Sequence, residues 1–296
     1  MSERVRAAEF RVRGLLSSLI VDPLKMVART KAGLVGFVGL TLYAFMATLG
    51  PLLVPLDVKP KPHQAYLPPS LEHPLGTDFE GKDIFSQIVN GARDVLFVAF
   101  LAGTVSVVVA TLLGSLAGFM GGFVDNIIMA LVDTILTIPQ FPLLSVLAAL
   151  TRLDNLTLAL IIGVLSWPAL ARAIRSQVLS LKERDFIEAA RALDLGSRHI
   201  LFTEIMPNLM SYVVVSWILS MTSAIYAQVG LVFLGFVPFT SHNWGVMINL
   251  AWTWGAMFYK NSIWYIVSPI AAIAGFQMSA ILFSRALEEV FNPRLR

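Results

Sequence analysis

Hydrophobic residues in this chain are gathered into six long blocks, and shorter polar segments separate them. The blocks run at about 32–54, 95–118, 127–150, 156–173, 208–236 and 263–286. A helix needs about 20 mostly apolar residues to cross the roughly 30 Å hydrocarbon core of a bilayer, and all six blocks are close to that length. Lipid offers no partner to exposed backbone groups, so such blocks form helices. The pattern therefore predicts an all-α bundle with six transmembrane spans.

Prolines and glycines interrupt or separate these blocks. Pro139 and Pro142 lie inside the third block, and Pro168 lies inside the fourth. Because proline has no backbone N–H and clashes with the preceding helical turn, we expect the third span to be broken. Gly121 and Gly122 stand between the second and third blocks, where they predict a tight turn.

A long polar segment, rich in proline, precedes the second block at 55–94. It contains a short amphipathic pattern at 83–90, which predicts a short separate helix ahead of the second span. Within that span, Gly114 and Gly118 form a pair of small residues four positions apart. Such a pair lets a neighbouring helix approach closely, so we expect a packing role for it.

The polar segment 174–207, between the fourth and fifth blocks, has a helical pattern of its own. Ser180 and Glu183 form a capping box, in which each side chain accepts a backbone N–H at a helix start. Gly196 predicts a left-handed residue that ends this helix. A second short helix is expected from 197 to 206. The segment is therefore predicted to be structured rather than a flexible loop.

The first helix of this segment carries an apolar stripe on an otherwise charged surface. Phe186, Ala189 or Ala190, and Leu193 recur at helical spacing. An amphipathic helix of this kind either lies on lipid headgroups or docks onto another protein. The pattern alone leaves both alternatives open.

The composition agrees with a membrane protein of several spans. Of the 296 residues, 56% are hydrophobic and 14% are charged, and the mean hydropathy is +0.74. A soluble domain carries about 25% charged residues. The chain has no cysteine, which excludes disulfides, thiolate catalysis and cysteine metal sites. The first residues carry mixed charge and lack an apolar core followed by a small-residue cleavage site, so no cleaved signal peptide is expected.

The distribution of lysine and arginine predicts the orientation. With six spans, both termini, the diglycine turn and the segment 174–207 share one side of the membrane. That side holds sixteen of the 22 basic residues, counting Arg172 and Arg175, and the opposite side holds six. Because basic residues are enriched in cytoplasmic loops, residues 1–31, 174–207 and 291–296 are expected in the cytoplasm, and 55–94 outside. The N-terminal segment also has the pattern of a surface amphipathic helix.

The sequence offers little chemistry for catalysis. Residues Gly76 to Lys82 match GxxxxGK, the start of a phosphate-binding loop, but Asp83 stands where a magnesium-binding Ser or Thr is required. Asp78 and Glu80 would repel phosphate, so we reject a nucleotide site. The four histidines show no metal-ligand spacing, and no Gly-x-Ser-x-Gly or HExxH motif is present. We therefore expect no catalytic residue and no metal site in this chain.

A few polar side chains lie inside the apolar blocks. Asp133 is costly to bury, and it either contributes to a pathway or bonds a neighbouring helix near the cytoplasmic end of its span. The second interpretation is favoured, since charges near helix ends can reach the interface. Gln228 and Gln277 present the same choice between lining a pathway and bonding across helices. Trp167 completes the set of pathway candidates.

Several spaced motifs resemble one transporter family. The run from Glu188 to Leu193, followed by Ile205 to Asn208, is similar to the EAA motif of ABC importer permeases. Further matches resemble the second permease subunit of the dipeptide and oligopeptide importer group. These matches are His73 to Asp78, Gly81 to Asp83, Gly91 to Arg93, Trp167 to Arg172, Leu234–Gly235, Trp244–Gly245 and Asn292 to Arg294.

The resemblance implies a type I importer with several subunits in the cell (plasma or inner) membrane. This chain would pair with a homologous permease, two cytoplasmic ABC ATPase subunits and an extracytoplasmic substrate-binding protein, and no nucleic acid would be involved. ATP and magnesium would bind the ATPases, and this chain would bind no cofactor. The motif helix would be the coupling helix that docks onto an ATPase. Its residues would be Glu188, Ala189, Ala190, Arg191, Ala192, Leu193, Asp194 and Gly196.

The sequence departs from the family pattern at two places. The seventh motif position, usually glycine, is Asp194, and Gly196 follows two residues later, so we expect the helix end to be shifted. The usual Gly-Asp-Gly near the C-terminus is replaced by Ser284–Arg285–Ala286, and no role is carried over to it.

The transported substrate is left open between three classes. The resemblance implies peptides, but similar sequences serve nickel or oligosaccharides, and the tryptophans near 244–254 slightly favour allowing sugars. A freestanding channel or proton-coupled carrier would need deep ionisable groups, for which Asp133 is the one candidate.

Overall fold

The computed structural model describes residues 30–56, 58–150, 154–236 and 242–291, and helices dominate them. In these residues the only strand-like pairing is an isolated bridge between Thr77 and Asp83. The predicted all-α class is confirmed. The helices are α1 Lys31–Thr48, α2 Gly50–Leu53, α3 Ile84–Met120, α4 Gly122–Thr137, α5 Gln140–Leu150, α6 Asn155–Lys182, α7 Asp185–Ala192, α8 Ser197–His199, α9 Met206–Phe233, α10 Trp244–Thr253 and α11 Ile263–Phe291.

Five helices in the described residues are long and apolar enough to cross a membrane. They are α1, α3, α6, α11 and the continuous helix Ser197–Phe233. A sixth crossing is formed if α4 and α5 together make one span, bent by 79°. Ile138, just before Pro139, is extended with φ −88° and ψ 123°, as a residue before proline prefers. The predicted break of the third span is confirmed.

Two spans are longer than their apolar blocks. The side chain of Asp83 accepts the N–H of Ser86 at 2.7 Å, and α3 then runs without interruption for 37 residues. The separate short helix expected at 83–90 is therefore wrong, because no residue between it and the span breaks the helical hydrogen bonds. The fourth span likewise continues to Lys182 instead of ending near 173. Its basic residues Arg172, Arg175 and Lys182 bond to α4 and α3, so they do not end the helix.

The helices α3 and α6 pack closely along the predicted small-residue pair. A Cβ atom added to Gly114 would lie 2.5 Å from the carbonyl oxygen of Ala171, and one on Gly118 would lie 2.9 Å from that of Arg175. The ammonium of Lys182 then donates to the carbonyl oxygens of Gly118 and Phe119, at 3.1 and 3.0 Å. A cation at these final carbonyls caps α3 and complements its dipole.

The turn between α3 and α4 is as tight as predicted. Gly121 and Gly122 have φ values of 66° and 53°, in the left-handed region that favours glycine. The turn sends α4 back along α6, where the guanidinium of Arg175 donates two bonds of 2.5 Å to the carboxylate of Asp125. This bidentate pair fixes α4 against α6 at the end that carries the segment 174–207.

The GxxxxGK segment folds around its own carboxylate. Asp78 accepts the N–H of Glu80 at 2.8 Å and that of Lys82 at 2.9 Å, and the amide of Gln87 donates to its other oxygen at 2.8 Å. Burial raises the pKa of Asp78, and these hydrogen bonds partly oppose the rise. An acidic group thus occupies the centre of this loop, which agrees with the rejection of a phosphate site.

Aromatic rings join this loop to the chain after α10. Tyr66 stacks on Tyr259 and Phe79 stacks on Trp254, each with ring centroids 5.0 Å apart. Tyr265 is fully buried beside Phe79. These rings hold the loop and the segment after α10 together.

Candidate functional site

The helix α7 is held against the membrane-spanning bundle by its inner face. Ile187 and Ala190 are buried there, in one apolar cluster with Val178 of α6 and with Ile200 and Ile205. Burying such side chains stabilises their position by roughly 1.5–3 kcal/mol for a residue the size of isoleucine. The short helix is therefore seated on both spans that flank it.

The outer face of α7 presents an apolar stripe to its surroundings. Phe186 and Ala189 are exposed, and Leu193, at the end of the helix, is 73% exposed. Glu188 and Arg191 are exposed beside them. Of the two alternatives at the middle of the stripe, Ala189 belongs to it and Ala190 does not. The arrangement offers a contact surface with an apolar centre and charges on its border.

The start of α7 differs from the predicted capping box. Ser180 lies inside α6, and Glu183 is the residue that ends α6, its N–H donating to the carbonyl of Leu181. The residue before α7, Arg184, provides no side-chain cap. Asp185 and Glu188 stand in the first turn, where acidic groups complement the helix dipole. The capping box is wrong because α6 continues through Ser180.

The end of α7 is made by Asp194 rather than by Gly196. Asp194 has φ 52°, its N–H donates to Arg191 at 2.9 Å, and the N–H of Leu195 donates to Ala190 at 3.1 Å. These two bonds form a Schellman motif, whose left-handed position aspartate tolerates better than most residues. Gly196 has φ −57° and precedes α8. Both the glycine cap and the expected shift of the helix end are wrong, since Ala192 still ends the helix.

The segment after Gly196 is continuous with the next span. The separate second helix expected at 197–206 is wrong, because the helix that begins at Ser197 continues to Phe233. A π-helical stretch at Ile200–Ile205 joins its parts, and the N–H of Met206 donates to Leu201. Pro207, in the first turn of α9, has no N–H, so the wider turn before it accommodates the missing bond. Helical backbone thus leads from the membrane to α7 on both sides.

The pathway candidate Asp133 is paired across two helices. Its carboxylate accepts a bond from the guanidinium of Arg172 on α6, as the expected helix-to-helix bond requires. Yet the side chains of Asp133 and Arg172 remain 64% and 53% exposed. Asp133 lies in the second half of α4, away from the end that carries α7, so its expected place near that end is wrong. Close by along the chain, the amide of Gln140 donates to Ser166 at 2.7 Å.

The other three pathway candidates lie in different surroundings. Trp167 is buried in the same apolar cluster as α7's inner face. Gln277, on α11, is half-buried. Gln228, on α9, is fully buried, and neither of its amide atoms forms a hydrogen bond within the described residues. None of these three side chains shares a described hydrogen bond with Asp133, and their transport roles stay predictions.

Replacing Gln228 with leucine is expected to stabilise the chain. A buried amide without a partner costs about 1–3 kcal/mol, which an apolar side chain of similar size avoids. We expect the thermal unfolding midpoint of the purified protein to rise by about 2–4 °C for each kcal/mol gained. The matched variant Gln277→Leu, at a half-buried site, should not show this gain. A lower midpoint for Gln228→Leu would mean that the amide is satisfied in the native membrane.

Comparison with known proteins gives one family match and several full-length relatives. Residues 110–296 match the family described as binding-protein-dependent transport system inner membrane component. A peptide permease protein of Brucella suis biovar 1 is 31% identical over 304 residues, covering 99% of each chain. The dipeptide transport permease DppC of Bacillus subtilis is 28% identical and covers 93% of this chain and 86% of its own. The oligopeptide transport permease OppC of Mycobacterium tuberculosis is 31% identical over 70% of this chain and 72% of its own.

Proposed function

Since the chain belongs to the binding-protein-dependent transport system inner membrane component family, a family of multi-pass membrane permeases, we propose that it is one of two permease subunits of an ATP-driven importer. A homologous permease would supply the other half of the pathway. Two ABC ATPases would bind ATP and magnesium, a binding protein would deliver the substrate, and this chain would hydrolyse nothing itself. It would lie in the cell membrane with both termini in the cytoplasm.

The observation that carries this proposal is the outward face of α7. An exposed stripe of Phe186, Ala189 and Leu193 on a helix fixed from behind is suited to a groove on another protein. Glu188 and Arg191 would meet polar groups at the border of that groove. The alternative, contact with lipid headgroups, would leave the acidic first turn of α7 against a negatively charged surface.

The geometry around α7 suits the transmission of a rigid-body movement. Two residues separate α6 from α7, and residues 193–196 separate α7 from the helix Ser197–Phe233. Ile187 packs in one apolar cluster with residues of both neighbouring helices. When two ATPases close on ATP, a helix seated in one of them would move with it. The spans would then rock between inward-facing and outward-facing states around a central cavity.

We place the pathway along the face formed by α4, α5 and the adjoining side of α6. Asp133 lies inside its apolar block and is exposed in this subunit together with its partner Arg172, and a charged group at that depth is too costly to face lipid. They would therefore face a water-filled cavity between the two permeases. Gln140 and Ser166 would extend this polar surface towards the break in the span.

Separating the pair Asp133–Arg172 is expected to impair transport. Arg172→Gln leaves an uncompensated carboxylate in the proposed cavity. Uptake per assembled transporter should fall about tenfold, because the net negative charge changes the electrostatic potential along the pathway. The charge-swapped variant, with Asp133→Arg and Arg172→Asp, should recover a large part of the activity. As a control, Arg175→Gln breaks the less exposed pair with Asp125, and it should lower the yield of assembled protein more than its activity. Full uptake by Arg172→Gln would exclude the pair from the pathway.

Peptides are the substrate that we propose, because the relatives compared above are named as peptide, dipeptide or oligopeptide permeases. Oligosaccharides are less well supported, since Trp254 and Tyr259 already stack on rings of the outer loop. The test is uptake by proteoliposomes that contain this chain with the permease, ATPases and binding protein that assemble with it. ATP-dependent accumulation of labelled di- or oligopeptides is expected. Uptake of oligosaccharide or nickel alone would overturn the peptide assignment, and uptake without ATP would overturn the importer.

A further inference from the structure

Two cavities of opposite character meet at Arg93, near the start of the apolar part of α3. The larger one, of about 770 Å³, is lined mainly by apolar side chains of α1, α3, α9 and α11. The smaller one, of about 420 Å³, is lined by five polar residues and by Pro51 and Phe97. Both are lined by Pro51, Arg93 and Phe97, so they form one continuous depression. Its occupant must be polar at one end and apolar along the rest.

The apolar cavity extends along the spans rather than across them. On α3 its lining runs from Arg93 through Phe97 to Phe100, and on α1 it runs from Thr48 back to Leu40. At 1.5 Å per helical residue, each of these stretches covers about 10–12 Å of membrane depth. This is the shape and direction of a groove that takes an extended hydrocarbon chain.

The polar cavity lies where the apolar block of α3 begins, and it supplies groups for a charged head. Asn90, Asp94, Asn155 and His242 line it together with Arg93. The amide of Asn90 donates to Val54 and Ser86, and the carboxylate of Asp94 lies 3.6 Å from the His242 imidazole. Asn90, Asp94 and His242 therefore each have a polar neighbour within the chain.

Arg93 differs from these groups because it forms no ion pair or hydrogen bond within the described residues, and its side chain is exposed at the junction of the two cavities. An unneutralised guanidinium at the level of lipid headgroups attracts phosphate, to which it can donate two parallel hydrogen bonds. The apolar groove begins at this cation.

We propose that this depression is a phospholipid site, in which Arg93 binds the phosphate and the groove bordered by Ala44, Phe97 and Trp217 holds an acyl chain. The charge at the rim and the apolar channel below it match the two parts of one lipid molecule. The site is independent of the proposed import function, because its lining includes neither Asp133 nor Arg172.

The test is native mass spectrometry of the purified transporter assembly, titrated with phosphatidylglycerol after delipidation. We expect one tightly retained lipid per copy of this chain. Arg93→Gln should weaken its apparent Kd about fivefold or more, the effect of one basic side chain near a lipid phosphate. Ala44→Trp, which fills the apolar groove without changing charge, should also remove it.

Two matched variants serve as controls. Lys260→Gln removes a positive charge from an exposed position between α10 and α11, and Leu42→Trp places the same indole ring at an exposed position of α1 outside the groove. Both should retain the lipid. Equal retention by all variants would overturn the site. If Arg93→Gln loses the lipid and Ala44→Trp retains it, the site binds an anion and has no acyl groove, which contradicts the proposal. Displacement of the lipid by 10-fold excess inorganic phosphate would lead to the same conclusion. Absence of any retained lipid in the unmodified chain would mean that another segment or subunit fills the groove.

Discussion

Charge reversal at Glu188 is expected to detach this chain from the ATPase that we propose as its partner. Glu188 is exposed on α7 and forms no ion pair within the described residues, so Glu188→Lys should leave the fold intact. Glu188 lies at the border of the stripe, where charge reversal would set like charges against each other at a cost of about 2 kcal/mol or more, so we expect ATPase affinity to fall about 30-fold. Transport should be lost with it. The measurement is co-purification of the ATPase with a tagged chain, together with uptake.

The control for Glu188→Lys is the same substitution at Glu289, which is exposed near the end of α11. It changes the net charge equally and should leave ATPase binding unchanged. Leu193→Asp, at the exposed end of the stripe, should behave like Glu188→Lys. If both α7 variants still co-purify with the ATPase and transport normally, α7 is not the docking helix.

Leucine at Gly114 is expected to separate α3 from α6. Even the first carbon of the new side chain would lie 2.5 Å from the carbonyl oxygen of Ala171, which belongs to helix backbone and cannot rotate away. Overpacking of this kind costs up to about 3 kcal/mol and occasionally more, so the assembled protein should be lost or strongly destabilised.

The matched control is Gly196→Leu. Gly196 has an ordinary φ of −57°, and nothing lies within 4 Å of a Cβ atom added there. The thermal unfolding midpoint of the Gly196→Leu variant should stay close to that of the unmodified chain. A stable, assembled Gly114→Leu variant would mean that α3 and α6 are further apart in the membrane than the 2.5 Å contact with Ala171 implies.

The spans could be predicted from the sequence because hydrophobicity over about 20 residues reports directly on burial in lipid. The break between α4 and α5 was equally accessible, since Pro139 restricts both itself and Ile138. The close packing at Gly114 followed from residue size alone. Each of these features depends on neighbours in the sequence.

The features that the sequence did not predict depend on partners far along the chain. The extension of α6 to Lys182 relies on carbonyl groups of α3, and the partner of Asp133 is 39 residues away. One signal was available: α4 carries two acidic residues and the facing part of α6 carries two arginines. Hydrophobic spacing also did not show which of Ala189 and Ala190 belongs to the exposed stripe. The packing of Ile187 against the bundle buries Ala190 on the same face and leaves Ala189 exposed.

The helix end at Asp194 shows a different limit. Glycine is the usual left-handed residue, so the pattern favoured Gly196. The hydrogen bonds of Asp194 and Leu195 to α7 determine the end instead, and the aspartate accepts the left-handed conformation. Residue 194 therefore has the left-handed conformation that suits the family's usual glycine, although the residue here is aspartate.

The most direct test of the central claim, that α7 is a cytoplasmic helix covered by an ATPase, uses the absence of cysteine from this chain. Leu193→Cys introduces a single thiol at the exposed end of the stripe. A membrane-impermeant maleimide should not label it in intact cells, should label it in inside-out vesicles stripped of ATPase, and should label it at least tenfold more slowly once the ATPase is restored. Labelling in intact cells, or labelling in vesicles that the ATPase does not slow, would contradict the account.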